Sequence, residues 1–150
     1  MSAFVEQQEF SDPFVLSVVD RPEPHAGPGQ VRIRVHAAGL NPVDWKIATN
    51  PAMAAANGLT APSGFGNDLA GVVDEIGDGV TGFAIGDRVF GGARGRAVAE
   101  HAVVDAAGLH HTPDGVDDTT AGALQIAGRT ADAAVTTAGV SAGDTVLIGG

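Results

Sequence analysis

Gly64-Phe-Gly-Asn-Asp-Leu-Ala-Gly-Val-Val-Asp-Glu-Ile-Gly77, followed by Gly86-Asp-Arg-Val-Phe-Gly-Gly92, is the stretch from which the fold can be read. Glycines at 64, 66, 71, 77, 79, 82, 86, 91 and 92 punctuate short runs of Val, Ile, Leu and Phe. Such spacing suits short strands that turn tightly through positive φ angles and approach one another closely. It predicts a small β-barrel.

The flanking sequence extends this pattern. Val31, Ile33 and Val35 alternate with Arg32, Arg34 and His36, the period of two expected of a strand with one wet face. Ala3 to Glu9 and Phe14 to Val19 read as strands joined by a turn at Asp12-Pro13, the second apolar enough to be largely buried. Leu69 to Ile76, Asp87 to Phe90, Ala97 to Val104 and Leu109 to His111 supply further strands, and the Pro-rich Pro22 to Gly29 reads as a surface loop. After Pro113 the character changes. Asp117-Asp118-Thr119 offers N-cap residues, and the Ala-rich segment beyond has helical composition up to Gly139, a natural C-cap, with Gly128 as an interruption. Asp144 to Ile148 then reads as a buried strand closed by Gly149 and Gly150.

Composition narrows the function classes. The 150 residues suffice for one domain with its own core, and the net charge of -10 argues against nucleic acid or anionic membrane surfaces as partners. There is no cysteine, hence no disulfide framework, thiol nucleophile or thiolate zinc site, and Lys46 is the only lysine. No apolar run approaches the roughly 20 residues of a membrane span, and the polar start Met1 to Gln8 is no signal peptide, so a cytoplasmic protein is expected. The chain has no tyrosine, no Gly-x-Ser-x-Gly elbow and no P-loop, which removes three common chemistries.

Asn41-Pro-Val-Asp44 is the segment most open to two readings. Asn as N-cap, Pro at the first helical position and an acid three residues after the cap describe the start of a short helix. Together with Ala37 to Lys46 as a whole and the two glycine-rich runs, it also resembles the N-terminal GroES-like domain of the medium-chain dehydrogenase/reductase superfamily, most closely the zinc-independent quinone oxidoreductases of the zeta-crystallin group. The motifs stand in that family's order from Phe14-Val-Leu-Ser-Val-Val19 to Val146-Leu-Ile-Gly-Gly150. The resemblance implies a mainly β fold: a GroES-like, partly closed β-barrel with short helices over residues 1–115. The first helix and strand of a truncated Rossmann nucleotide-binding domain would follow over residues 116–150.

The resemblance also implies chemistry. Asn41, Pro42, Val43, Asp44 and Thr130 would lie at the nicotinamide end of NADPH, with Asn41 catalytic and Lys46 assisting it. The acceptor would be a small quinone or an α,β-unsaturated carbonyl compound, and the full-length parent a homodimer. The chain would be a fragment, expected to bind NADPH weakly and to be inactive by itself. Zinc-dependent relatives carry Cys where this chain has Asn41, His where it has Asn67 and Cys near Ile126, so no metal is expected. Asp68, beside the lost His, reads as a turn acid that bonds backbone amides. Two further readings stay open: an enoyl-thioester reductase module, and a GroES-like binding or assembly module without catalysis.

Overall fold

The computed structural model describes residues 1–149. Eight strands and four short helices follow in the order β1 (Ser2–Gln7), β2 (Ser17–Arg21), β3 (Gln30–Gly39), α1 (Pro42–Ala48), α2 (Pro51–Ala56), β4 (Ser63–Gly64), β5 (Asp68–Ile76), β6 (Arg88–Gly92), β7 (His101–Asp105), β8 (Leu109–His111), α3 (Asp118–Ala121) and α4 (Leu124–Thr137). A single 3₁₀ turn, Ala106–Gly108, separates β7 from β8. Among the described residues no helix is long and apolar enough to cross a membrane.

The alternation in β3 sets the core. Val31 and Ile33 are fully buried, and they pack with Leu69 and Val73 of β5, Val89 of β6, Val104 of β7 and Leu109 of β8. Each such side chain contributes about 1.5–3 kcal/mol relative to an exposed one. The five strands are antiparallel in the order β7-β3-β5-β6-β8, and β3 is bent where its register with β5 shifts at Arg32/Ile33 and Val35/Ala37. Close approach explains Gly71: a Cβ there would stand 2.1 Å from the Arg34 carbonyl oxygen. A second sheet, β2-β1-β4, is stitched to the first through residues 98–100, where Val5 N donates to Val98 O (3.0 Å), Glu100 N to Ala3 O (2.9 Å) and Val35 N to Glu100 O (2.9 Å). No hydrogen bonds join β2 to β8 among the described residues, so the barrel is partly closed and no continuous sheet runs around it.

Several sequence expectations need correction. The segment Phe14 to Val19 is not buried: β2 starts at Ser17, Val15 is 68% and Val18 75% exposed, and the strand pairs only with β1 at the sheet edge. An apolar run cannot signal which strand will be an edge. Residues 97–100 precede β7 as irregular backbone that bonds to Phe65, Gly66 and β1 instead of forming a ladder. Gly128 does not interrupt α4, because the break between α3 and α4 falls at Gly122-Ala123, while Gly139 takes the expected left-handed conformation (φ 67°) past the C-cap Ala138. Residues 144–148 form no strand, and Leu147 and Ile148 are 96% and 88% exposed. A lone extended segment has no ladder to join, and none of the described strands lies beside it. The last glycine of the expected strand-ending pair, Gly150, lies outside the described residues. The helix α2 and the two-residue β4 were not anticipated.

The helical end is clasped to the sheet. His36 Nδ1 of β3 lies 2.7 Å from Asp118 Oδ2 of α3, and Arg88 of β6 donates through Nη2 to Asp118 Oδ1 (2.6 Å) and to the Val116 carbonyl (2.6 Å). Burial pushes the Asp118 carboxyl up, but the bonds from His36 and Arg88 and their positive charge outweigh it and hold it below its ordinary value of 3.8. A carboxylate lowered in the folded state adds stability that is present above the unfolded value and vanishes as pH falls through the folded one. Asp118→Asn should therefore cost about 1 kcal/mol at neutral pH, discounted for partial exposure. Urea titrations of both proteins across the acid range should find the difference closing below about pH 4.

A second prediction concerns packing. At Gly39, where β3 ends, a Cβ would stand 2.3 Å from the Gly122 carbonyl oxygen and 3.2 Å from Ala123 Cα, both backbone atoms that cannot swing aside. Gly39→Ala should destabilise by about 2–4 kcal/mol in denaturant titration. Gly128→Ala meets nothing closer than 3.6 Å and should be stabilising by about 0.5–1 kcal/mol.

Candidate active site

The site begins with the cap of α1. Asn41 sits in extended conformation (φ -121°, ψ 156°), Pro42 occupies the first helical position, and Asp44 Oδ2 accepts from the Asn41 backbone N–H at 2.6 Å. Pro suits this place because its missing N–H would find no helical partner there. The second oxygen of Asp44 accepts from Asn67 Nδ2. One buried carboxylate thus holds both the helix start and the residue before β5.

Asp68, the first residue of β5, is 0% exposed and accepts from the Ile126 backbone N–H at 3.0 Å, across 58 residues of sequence. Burial pushes its carboxyl above the ordinary 3.8 and the charge of Asp44 adds to this, while the Ile126 N–H and the Asn41 side chain draw it partly back. Asn41 and Asp68 influence each other without completing a hydrogen bond: Asn41 Nδ2 and Asp68 Oδ1 are both buried with no partner. The sequence reading of Asp68 as a turn acid is corrected here, since it starts a strand and anchors a distant helix. Its only sequence signal was its place beside Asn67 in the glycine-rich run.

Above this polar knot runs an apolar groove of about 790 Å³ between the first turn of α1 and one face of α4. Asn41, Pro42, Val43, Lys46 and Thr130 all line it, so five of the six residues singled out from sequence come together, from positions 41–46 and 130. Asp44 is not among them: it is 4% exposed and engaged in the cap below, because the third position of a capping box must turn back toward the helix start. Thr130 Oγ1 donates to the Ile126 carbonyl at 2.6 Å, leaving its lone pairs and not its proton for a ligand. Val146 and Ile148 form part of the far wall.

Ile126 and Thr130 also border a second, polar cavity of about 600 Å³ lined by Asn67, Asp68, Gly92, Arg94, Gln125 and Arg129. Gln125 Oε1 is buried there without a partner. Gln125, Arg94 and Arg129 were not foreseen, being single polar residues in no motif.

The three positions at which related metalloenzymes would place zinc ligands do converge: Asn67 adjoins Asp68, Ile126 bonds to it and Asn41 lies against it. Two amides, an alkyl chain and one buried carboxylate do not make a zinc donor set. No three His, Cys, Asp or Glu residues are grouped to hold a metal ion among the described residues. His110 lies against Phe90, and His111 stacks on Phe83 and reaches the Gly82 carbonyl at 2.9 Å.

Comparison with known proteins agrees with this architecture. The profile of the family described as "Alcohol dehydrogenase GroES-like domain" matches residues 27–114. A trans-enoyl reductase of Gibberella fujikuroi is 39% identical over 103 residues, which cover 66% of this chain and 29% of that protein. The quinone oxidoreductase from Coxiella burnetii superposes with a TM-score of 0.84 at 34% identity, covering 96% of this chain and 47% of that one. A mycobacterial protein solved in complex with NADPH superposes with a TM-score of 0.83 at 29% identity, covering 96% and 44%. The chain thus spans less than half the length of each of these proteins. With its glycine-punctuated antiparallel sheets and its capped Asn-Pro turn, this chain belongs to the alcohol dehydrogenase GroES-like domain family, as an N-terminal domain of the medium-chain dehydrogenase/reductase type.

Proposed function

We propose that residues 1–115 form the substrate-side domain of a zinc-independent, NADPH-dependent oxidoreductase that reduces quinones or α,β-unsaturated carbonyl compounds, with residues 116–150 opening its nucleotide-binding domain. The observation that carries this reading is the convergence of Asn41, Pro42, Val43, Lys46 and Thr130 on one apolar groove, with a buried and unpartnered Asn41 Nδ2 close by. NADPH, when bound, supplies the hydride. The apolar wall excludes water from the nicotinamide. Asn41, held by the Asp44 cap, donates from Nδ2 to the acceptor oxygen as negative charge grows there, an electrostatic role suited to a pre-oriented amide. Lys46, exposed at the groove edge, adds positive charge, and water returns the second proton. The mycobacterial neighbour solved with NADPH supports the choice of cofactor.

In the protein that carries this domain, NADPH consumption with p-benzoquinone and with methyl vinyl ketone tests the reading. Asn41→Ala should lower turnover by about a hundredfold and change NADPH affinity far less, because the lost bond strengthens only in the transition state. Asn41→Asp replaces the donor by an acceptor and sets a third carboxylate beside Asp44 and Asp68, so it should be at least as impaired. Unchanged turnover in both would return Asn41 to its cap role alone.

Zinc independence has its own check. Elemental analysis of protein purified without chelator should find no stoichiometric zinc, and one tightly held ion per chain would overturn that part of the reading.

The Gibberella relative favours a second reading, reduction of an enoyl thioester. The two separate on substrate. Turnover of crotonoyl pantetheine well above that of p-benzoquinone would select the thioester.

A further inference from the structure

The polar cavity beside the groove is not used by the reading above except through the wall it shares at Ile126 and Thr130. Its rim carries Arg94, just beyond β6, and Arg129, on α4. With 18 acidic residues against 8 basic ones, carboxylate partners are abundant, and Arg21, Arg32 and Arg88 each have one. Arg94 and Arg129 have none within 4.0 Å among the described residues. Among the described residues Arg94 makes a single side-chain bond, a long one of 3.5 Å to the Asn57 carbonyl. Both arginines line this cavity, Arg94 also bordering a neighbouring one on the Asn57 side, and a guanidinium without a carboxylate partner offers a planar fork of donors matched to the oxygens of a carboxylate or phosphate.

The cavity wall adds an independent observation. Asp68 is fully buried and its Oδ1 has no partner, and neither has the buried Oε1 of Gln125. Unmet buried acceptors are costly, and the amide N–H groups of a pantetheine thioester would satisfy them. Asp68 itself opposes an anion. Its burial disfavours the charged form, however, and it is held by the Ile126 N–H, whereas the two guanidiniums are exposed and free to reach a ligand.

Resting on the proposed function, we infer that Arg94 and Arg129 determine specificity by binding a carboxylate or phosphate of the acceptor, so that the preferred acceptor is an anionic α,β-unsaturated carbonyl compound or thioester and not a neutral quinone. The reacting double bond would lie toward Ile126 and Thr130, where cavity and groove meet. The anionic group would sit at the arginine rim.

Two matched pairs of probes test this on the chain itself by NMR titration: acetylacrylate against methyl acetylacrylate, and crotonoyl phosphopantetheine against crotonoyl pantetheine. The anionic member of one pair should bind about tenfold more tightly than its neutral partner, less so at high salt. The pair that shows the preference tells carboxylate from phosphate. R94Q/R129Q should abolish the preference while keeping the thermal midpoint, because both side chains are exposed, and R94K/R129K should restore part of it. Equal affinities within both pairs, no binding of any probe, or a preference that survives R94Q/R129Q would overturn the inference. In the protein that carries this domain, R94Q/R129Q should raise KM for the anionic acceptor about tenfold more than KM for p-benzoquinone. A rise in KM for NADPH instead would assign the arginines to the cofactor and overturn the inference. Absence of any p-benzoquinone or enone turnover in the unmodified protein marks failure of the proposed function, whereas normal turnover without anion preference marks failure of this inference alone.

Discussion

The bond from the Ile126 amide to the buried Asp68 carboxylate joins the helical end of the chain to its sheets, and the candidate site exists because of it. The first turn of a helix leaves backbone N–H groups without partners, and a carboxylate placed there satisfies one and suits the positive end of the helix. Asp68 does this for α4 from the start of β5. Glycine at position 39 permits the same junction, since any Cβ would strike the Gly122 carbonyl. The contact brings α4 against the capped turn at Asn41, so that one groove has walls from two distant parts of the chain.

A second carboxylate sets the other wall. Asp44 accepts from Asn41 N and from Asn67 Nδ2, which ties the helix start to the segment entering β5. Asp44 and Asp68 lie close enough for the charge of one to raise the other. Two nearby buried carboxylates are an unfavourable arrangement unless hydrogen bonds compensate, and both are bonded to backbone N–H groups. Of the five unpartnered buried side-chain atoms among the described residues, Asn41 Nδ2, Asp68 Oδ1 and Gln125 Oε1 lie beside the groove and the cavity, while Gln7 Oε1 and Thr112 Oγ1 lie elsewhere. At the groove and cavity walls such valences are open to a ligand.

Much of the architecture was legible along the chain. The alternation at Val31, Ile33 and Val35 marked the central strand, the glycine runs marked the sheet crossings, and Asn41-Pro42 and Asp117 marked helix starts, because period and cap chemistry are local properties. Edges and ends were less legible. Phe14 to Val19 has the composition of a buried strand but lies at the margin of a three-stranded sheet, and Asp144 to Ile148 has strand composition with no strand beside it. Gly128 resembled a helix breaker and is a tolerated interior residue, since a single glycine weakens a helix without ending it when the packing on either side continues.

By itself the sequence determined the strand-and-turn grammar, the absence of thiolate ligands and the grouping of Asn41, Pro42, Val43 and Lys46 on one turn, because these depend on residue type and near neighbours. Only the tertiary structure decided that Asp44 also holds Asn67 and that Asp68 is an anchor for α4. It also decided that Thr130 faces the same groove as Asn41, and that Arg94 and Arg129 share one cavity. Those outcomes depend on which surfaces close on each other between segments distant in sequence, as the 58-residue reach from Asp68 to Ile126 illustrates. Burial and the pairing of distant backbone groups select such contacts, and neither leaves a periodic trace in the chain.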